Sequence, residues 1–168
     1  TIDHLRPFTM SIIIVTGHQS DTLISHLKDQ PNLHFVYNPD HLTHSMFASV
    51  LIGLSNVTKE YAFLLPADMP LIDPEVYTKL ISRHQGIVVP TYQGSSGHPV
   101  LLRKDMIDQL LQSPNYPSLR HFIQAQHHQK VEVEDPHILL DVDTPLDLER
   151  IRTIYRHKLK EVTHGTDQ

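Results

Sequence analysis

Residues 11–18 read Ser-Ile-Ile-Ile-Val-Thr-Gly-His, and this stretch decides the fold class. Ile12, Ile13, Ile14 and Val15 are β-branched and continuous rather than alternating, which predicts a strand covered on both faces, as in a parallel sheet. Gly17-His18 ends the run. A helix capped by Ser20 or Asp21 follows, with Leu23, Ile24 and Leu27 at helical spacing, until Pro31-Asn32 breaks it. The alternation then continues. Strands are predicted at Leu33–Tyr37, Tyr61–Leu65 and Gly86–Pro90. One intervening helix is marked by Phe47, Val50, Leu51 and Leu54, and another by Val76, Leu80 and Ile81. The latter starts at Asp73-Pro74-Glu75, with Asp at N-cap and Pro at N1.

The second half is less regular. Tyr92–Leu102 predicts a hairpin or long turn around Gln93-Gly94-Ser95-Ser96-Gly97. Helices are expected at Asp105–Leu111 and Ser118–Gln126, and short strands at Val131–Val133 and Ile138–Leu140. Thr144-Pro145-Leu146-Asp147 is a capping box opening a last helix to about Leu159, with a frayed tail over 161–168. Strands separated by helices imply an α/β fold with a mostly parallel sheet, right-handed crossovers and a small antiparallel addition.

The 168 residues make one domain. Fourteen Lys and Arg against nineteen Asp and Glu leave a net charge of -5. That balance argues against a duplex-DNA or RNA binder. With no cysteine, the chain has neither a disulfide framework, a Cys-ligated zinc nor a thiol nucleophile. The longest aliphatic run is far shorter than the roughly 20 residues of a membrane helix, and no secretory leader is read. A cytoplasmic location follows as the expectation.

Ligands of open α/β sheets bind beyond the carboxyl ends of the strands. The polar residues there are Thr16-Gly17-His18, Asn38-Pro39-Asp40, Asp68 and Asp141-Val142-Asp143. Asp68 stands between two prolines after an apolar strand, where a stiff turn suits either a carboxylate that ligates a cation or a turn residue that bonds its own backbone. Asp141 and Asp143 share a side if the preceding strand persists. Carboxylates from two strand ends form the hard-oxygen set that suits Mg²⁺. Gly94–Pro99 reads either as an ordinary hairpin tip or as a stretch whose small residues let backbone approach a ligand. His41 and His44 have a spacing that permits metal ligation on a helix, but scattered surface histidines are the commoner arrangement among 14.

Five segments in order resemble one family, the MobA-like NTP transferases, and within it the molybdenum cofactor cytidylyltransferase branch. They are Ile13–His18; Asn38-Pro39-Asp40 followed by Ser45–Val50; Leu64–Leu71; Val89–Tyr92 with Gly97–Val100; and Leu139–Pro145. The resemblance covers roughly residues 10–155 and implies a Rossmann-like, three-layer nucleotidyltransferase fold. The implied reaction joins CMP from CTP to a molybdopterin-type phosphate and releases pyrophosphate.

By position, Asp68 and Asp143 would be the catalytic carboxylates that ligate Mg²⁺. Met46, Phe47 and Ser49 would line the nucleotide or cofactor cleft. Gly97, His98 and Pro99 would contact the acceptor, and Arg120 would offer charge to a phosphate. A molybdoenzyme or its chaperone is the implied protein partner, with no nucleic acid or membrane involved.

Four features depart from the family pattern. Ser45 stands where Gly is usual, the loop before it, His41–His44, is one residue longer, and Ser95-Ser96 replaces a basic pair. The first strand and its phosphate loop, of the type Leu-Ala-Ala-Gly-x-Ser-x-Arg-Met-Gly, are absent from the sequence. They are expected to precede Thr1, making residues 1–160 an N-terminally incomplete domain. The alternatives are a related guanylyl- or sugar-phosphate nucleotidyltransferase, and a catalytically inactive cofactor-binding module of the same fold.

Overall fold

A computed structural model describes residues 1–42, 45–83, 85–113 and 115–164, with side chains as far as 156. His44 lies outside the described residues. The elements run α1 (Ile2–Leu5), a 3₁₀ turn (Arg6–Phe8), β1 (Ile12–Thr16), α2 (Ser20–Leu27), β2 (Leu33–Tyr37), α3 (Met46–Ser55), β3 (Tyr61–Leu64) and α4 (Pro74–Ile81). Then come β4 (Ile87–Tyr92), β5 (Ser95–Ser96), β6 (Val100–Arg103), α5 (Lys104–Gln112), α6 (Leu119–Ala125), β7 (Gln129–Glu132), a second 3₁₀ turn (Pro136–Leu139) and α7 (Pro145–His164).

The α/β class holds. β1 and β2 form a parallel pair, with Ile12 opposite Leu33 and Thr16 opposite Tyr37. A second sheet runs in the order β3-β6-β4-β5, with β7 pairing β4 in parallel. The antiparallel strands are β6, set between β3 and β4, and the short β5 beside β4.

Strand periodicity sends alternate side chains to opposite faces. Val88 and Leu101 pack with Val76, Tyr77 and Leu80 of α4. Ile87, Val89, Val100 and Leu102 pack instead with Phe47 and Leu54 of α3, Ile107 and Leu110 of α5, and Phe122 of α6. The second sheet is therefore the middle of three layers, which is why β4 reads as an unbroken apolar run.

Local chemistry fixes the connections. The predicted hairpin turns at Gln93 and Gly94, both with positive φ (48° and 81°), as a two-residue hairpin turn of the favoured twist requires. The Thr144–Asp147 capping box forms as expected: Thr144 N–H donates to Asp147 Oδ2 at 2.9 Å, and Asp147 N–H donates to Thr144 Oγ1 at 3.2 Å.

Four details differ from the sequence reading. α2 is preceded by Gln19 in the left-handed region (φ 55°), whose carbonyl accepts the Thr22 and Leu23 N–H groups, so Ser20 lies inside the helix. Residues 2–8 are helical, held by burial of Leu5 and by Phe8 stacking on Tyr77 at 5.2 Å. α7 continues to His164 rather than ending near Leu159. The strand expected at Ile138–Leu140 is instead the second 3₁₀ turn, because Pro136 fixes its first φ and the Asp135 side chain accepts the His137 N–H.

Candidate active site

A groove of about 1620 Å³ separates the two sheets, bounded by β1 (Ile12–Val15) on one side and β3 (Tyr61–Leu64) on the other. Met46, Phe47, Ser49, Asp68, His98 and Arg120 all line it, whereas Gly97, Pro99 and Asp143 are not among its lining residues.

The α3 wall is built from the end of β2. Asn38 is 2% exposed, and its backbone N–H donates to the Thr16 carbonyl at 2.8 Å, joining the ends of the two strands. Its side-chain Nδ2 donates to Ser49 Oγ at 2.9 Å, and its Oδ1 accepts the Asp40 N–H at 3.0 Å. One buried amide thus orients Ser49 and shapes the loop behind it. Met46 stands exposed, while Phe47 is buried in the core.

The opposite wall follows from the β3–β6 register. Leu64 pairs with Val100, so the Pro66–Asp68 loop leaves one strand beside the point where Gly97–Pro99 enters the other. Asp68 is exposed and the His98 ring is largely enclosed. Burial pushes the His98 pKa below its ordinary value. A hydrogen bond to the Leu64 carbonyl and the Asp68 charge pull it the other way. His98 Nδ1 is buried with no hydrogen-bond partner. The His98-Pro99 peptide bond is cis. The neutral ring therefore presents an unsatisfied nitrogen at the end of the strand pair that carries Asp68.

Gly97 is required where it stands. A Cβ on it would meet the Ile138 carbonyl oxygen at 2.3 Å, and the neighbouring His98 N–H donates to that same oxygen at 3.0 Å. The loop therefore leans on the second 3₁₀ turn. Asp141 and Asp143 lie between that turn and α7, both exposed and on no strand, so strand alternation does not set their directions. Arg120 is exposed on α6.

Among the described residues, the metal-capable side chains that converge as a trio are Asp73, Asp135 and His137, with ligand atoms within 4.8 Å of one another. Asp135 is 6% exposed and its oxygens are occupied by protein donors. Oδ2 accepts the Asp73 N–H at 2.8 Å, and Oδ1 accepts the His137 N–H at 3.0 Å and its Nδ1 at 2.5 Å. This is a satisfied polar joint. The sequence reading assigned no role to this joint, and it placed Asn38 at a strand end without its bond to Ser49. Asp135-Pro136 carries the same Asx-Pro signal that was read at Asp73-Pro74.

The MobA-like NTP transferase domain model matches residues 1–131. The molybdenum cofactor cytidylyltransferase of Escherichia coli (strain K12) is 33% identical over 148 residues, 88% of this chain and 77% of that protein. A nucleotidyl transferase from Methanothermobacter thermautotroptrophicus superposes with a TM-score of 0.77 at 19% identity, covering 94% of this chain and 79% of that one. The Rv0371c complex with manganese from Mycobacterium tuberculosis H37Rv gives 0.70 at 19% identity, covering 89% and 82%. The 4-diphosphocytidyl-2C-methyl-D-erythritol synthase of Anaerococcus prevotii gives 0.76 at 14%, covering 93% and 87%. The fold, the domain match and the sequence identity agree: the chain belongs to the MobA-like NTP transferase family of nucleotidyltransferases.

Proposed function

We propose that this nucleotidyltransferase joins the CMP moiety of CTP to a molybdopterin-type phosphate. The observation that carries the reading is the 33% identity, over most of the chain, to a molybdenum cofactor cytidylyltransferase. An oxygen of the acceptor phosphate attacks the α-phosphorus of CTP. The bond from that phosphorus to the bridging oxygen breaks, and pyrophosphate leaves with the electron pair.

Little covalent chemistry is asked of the protein, so its part is positioning. Ser49, fixed by Asn38, and exposed Met46 would border the nucleotide, with Phe47 supporting them from the core. His98, flanked by Gly97 and Pro99, would face the acceptor from beside Asp68, and Arg120 would meet a phosphate. Asp68 and Asp143 would hold the cation: both are exposed carboxylates, a donor set that fits Mg²⁺, and a structural neighbour was solved with manganese. When bound, the ion supplies charge neutralisation for the phosphates.

Among the described residues, no helix is long and apolar enough to cross a membrane. We place the reaction in the cytoplasm, with a molybdoenzyme or its chaperone receiving the product.

The test is pyrophosphate release by the intact protein from CTP, molybdopterin and Mg²⁺. Wild type should release it and Asp68→Ala should not; unchanged release by the variant would remove Asp68 from the metal site. CTP should also raise the unfolding temperature more than GTP at equal Mg²⁺. Equal protection would overturn the cytidylyl preference.

A further inference from the structure

We propose that Asp135 is a positioning residue: its buried carboxylate ties the segment that carries Asp143 to the segment that carries Asp68. The inference rests on the metal-site reading above.

The Asp68 side is pinned by its own burial. Met69, Leu71 and Ile72 are 4%, 2% and 1% exposed, and the chain then enters α4 through Asp73. The Asp143 side is held differently. Between the end of β7 and the start of α7, Val133 and Ile138 are buried hydrophobic anchors, whereas Leu139 is 42% exposed and Asp141 and Asp143 face solvent. What joins the two sides is Asp135. One of its oxygens accepts the Asp73 N–H at the mouth of α4, and the other accepts the backbone and ring donors of His137. A carboxylate only accepts, so the His137 Nδ1 in this contact carries a proton.

A charge buried to this depth is costly unless its lone pairs are satisfied. Here three donors from two separate segments satisfy it: without the Asp73 segment Oδ2 loses its donor, and without the His137 segment Oδ1 loses both of its donors. The two segments are thereby forced to keep one spacing. Ile138, inside the same 3₁₀ turn, carries the constraint onward through its carbonyl to the His98 N–H. A single turn thus registers the Asp68 loop, the Gly97–Pro99 loop and the Asp143 segment together.

The experiment compares Asp135→Asn, Asp73→Pro and Asp73→Ala in the intact protein. Asp73 has φ −71° and ψ 142°, which proline adopts, so Asp73→Pro removes the tethering N–H while keeping this residue's own dihedrals. Asp73→Ala removes only the side chain and is the control. The first readout is the Mg²⁺ concentration for half-maximal pyrophosphate release. It should rise about 10-fold or more in Asp135→Asn and Asp73→Pro, as for other groups that orient metal ligands, and stay near wild type in Asp73→Ala. The second is amide hydrogen exchange over 139–144, which should quicken in the same two variants while β4 and β6 stay protected. Unchanged metal dependence together with unchanged exchange overturns the proposal. If wild type shows no metal-dependent release, the functional reading fails alone, and faster exchange over 139–144 still establishes the tether.

Discussion

The ring of His98 and the carboxylate of Asp68 sit at adjoining ends of the paired strands β3 and β6, and the Asp68 charge acts on the imidazole against its burial. Burial is the larger influence and holds the pKa below the ordinary 6.5. Asp68→Asn removes an opposing pull, so the His98 pKa should fall further. NMR titration of the ring would show this, and an unchanged or higher value would mean the two groups do not interact.

The same histidine gives a stability prediction with a definite sign. Its folded pKa lies below the unfolded value of 6.5, so the unfolded chain takes up the proton more readily. The contribution is therefore present above pH 6.5 and lost as pH falls through the folded pKa. Urea unfolding below pH 6.5 should show wild type losing more stability than His98→Gln; parallel pH curves would contradict this.

Tyr77 behaves oppositely. Its hydroxyl is pushed up to about 12, first by burial and then by the Asp135 charge. A raised phenol pKa leaves stability intact below pH 10 and removes it as pH climbs towards 12. Tyrosinate absorbance should reveal one late-titrating tyrosine in wild type, and Asp135→Asn should bring its titration earlier.

Asn38 and Ser49 predict an asymmetry. Asn38→Ala removes both the donor to Ser49 and the acceptor for the Asp40 N–H, and should cost about 1–3 kcal/mol in denaturant unfolding. Ser49→Ala leaves the Asn38 amide partly satisfied and should cost less, while weakening nucleotide binding. A larger stability loss in Ser49→Ala would place the anchor on the wrong residue.

Gly97→Ala sets a methyl group 2.3 Å from a backbone oxygen that has little freedom to move. Thermal unfolding should show a cost of about 1–3 kcal/mol, the usual range for overpacking. Wild-type stability would mean that the Ile138 turn yields easily.

Much of this was legible from residue types. The unbroken Ile12–Val15 run gave a parallel pair, Phe47, Val50, Leu51 and Leu54 gave a helix, and Thr144–Asp147 gave a capping box that formed bond for bond. What stayed hidden depends on partners distant in sequence. Ile138–Leu140 has strand composition, but Pro136 and the Asp135 side chain turn it into a 3₁₀ turn, and that competition is visible only in three dimensions. The insertion of β6 between β3 and β4 is equally silent, since its apolar residues would suit any interior strand. Asp68 and His98 adjoin because Leu64 pairs with Val100, and Ser49 is oriented on the same groove by Asn38, relationships that no spacing encodes.

The two sheets that face one another across the groove carry a practical consequence. Among the described residues, β1 has a ladder only to β2, and β3 only to β6, so a strand edge of each looks into the same apolar space. Unpaired edges flanked by apolar side chains are templates for foreign strands. These two edges are where an added strand would pair, so self-association through them should rise with concentration and be read by light scattering.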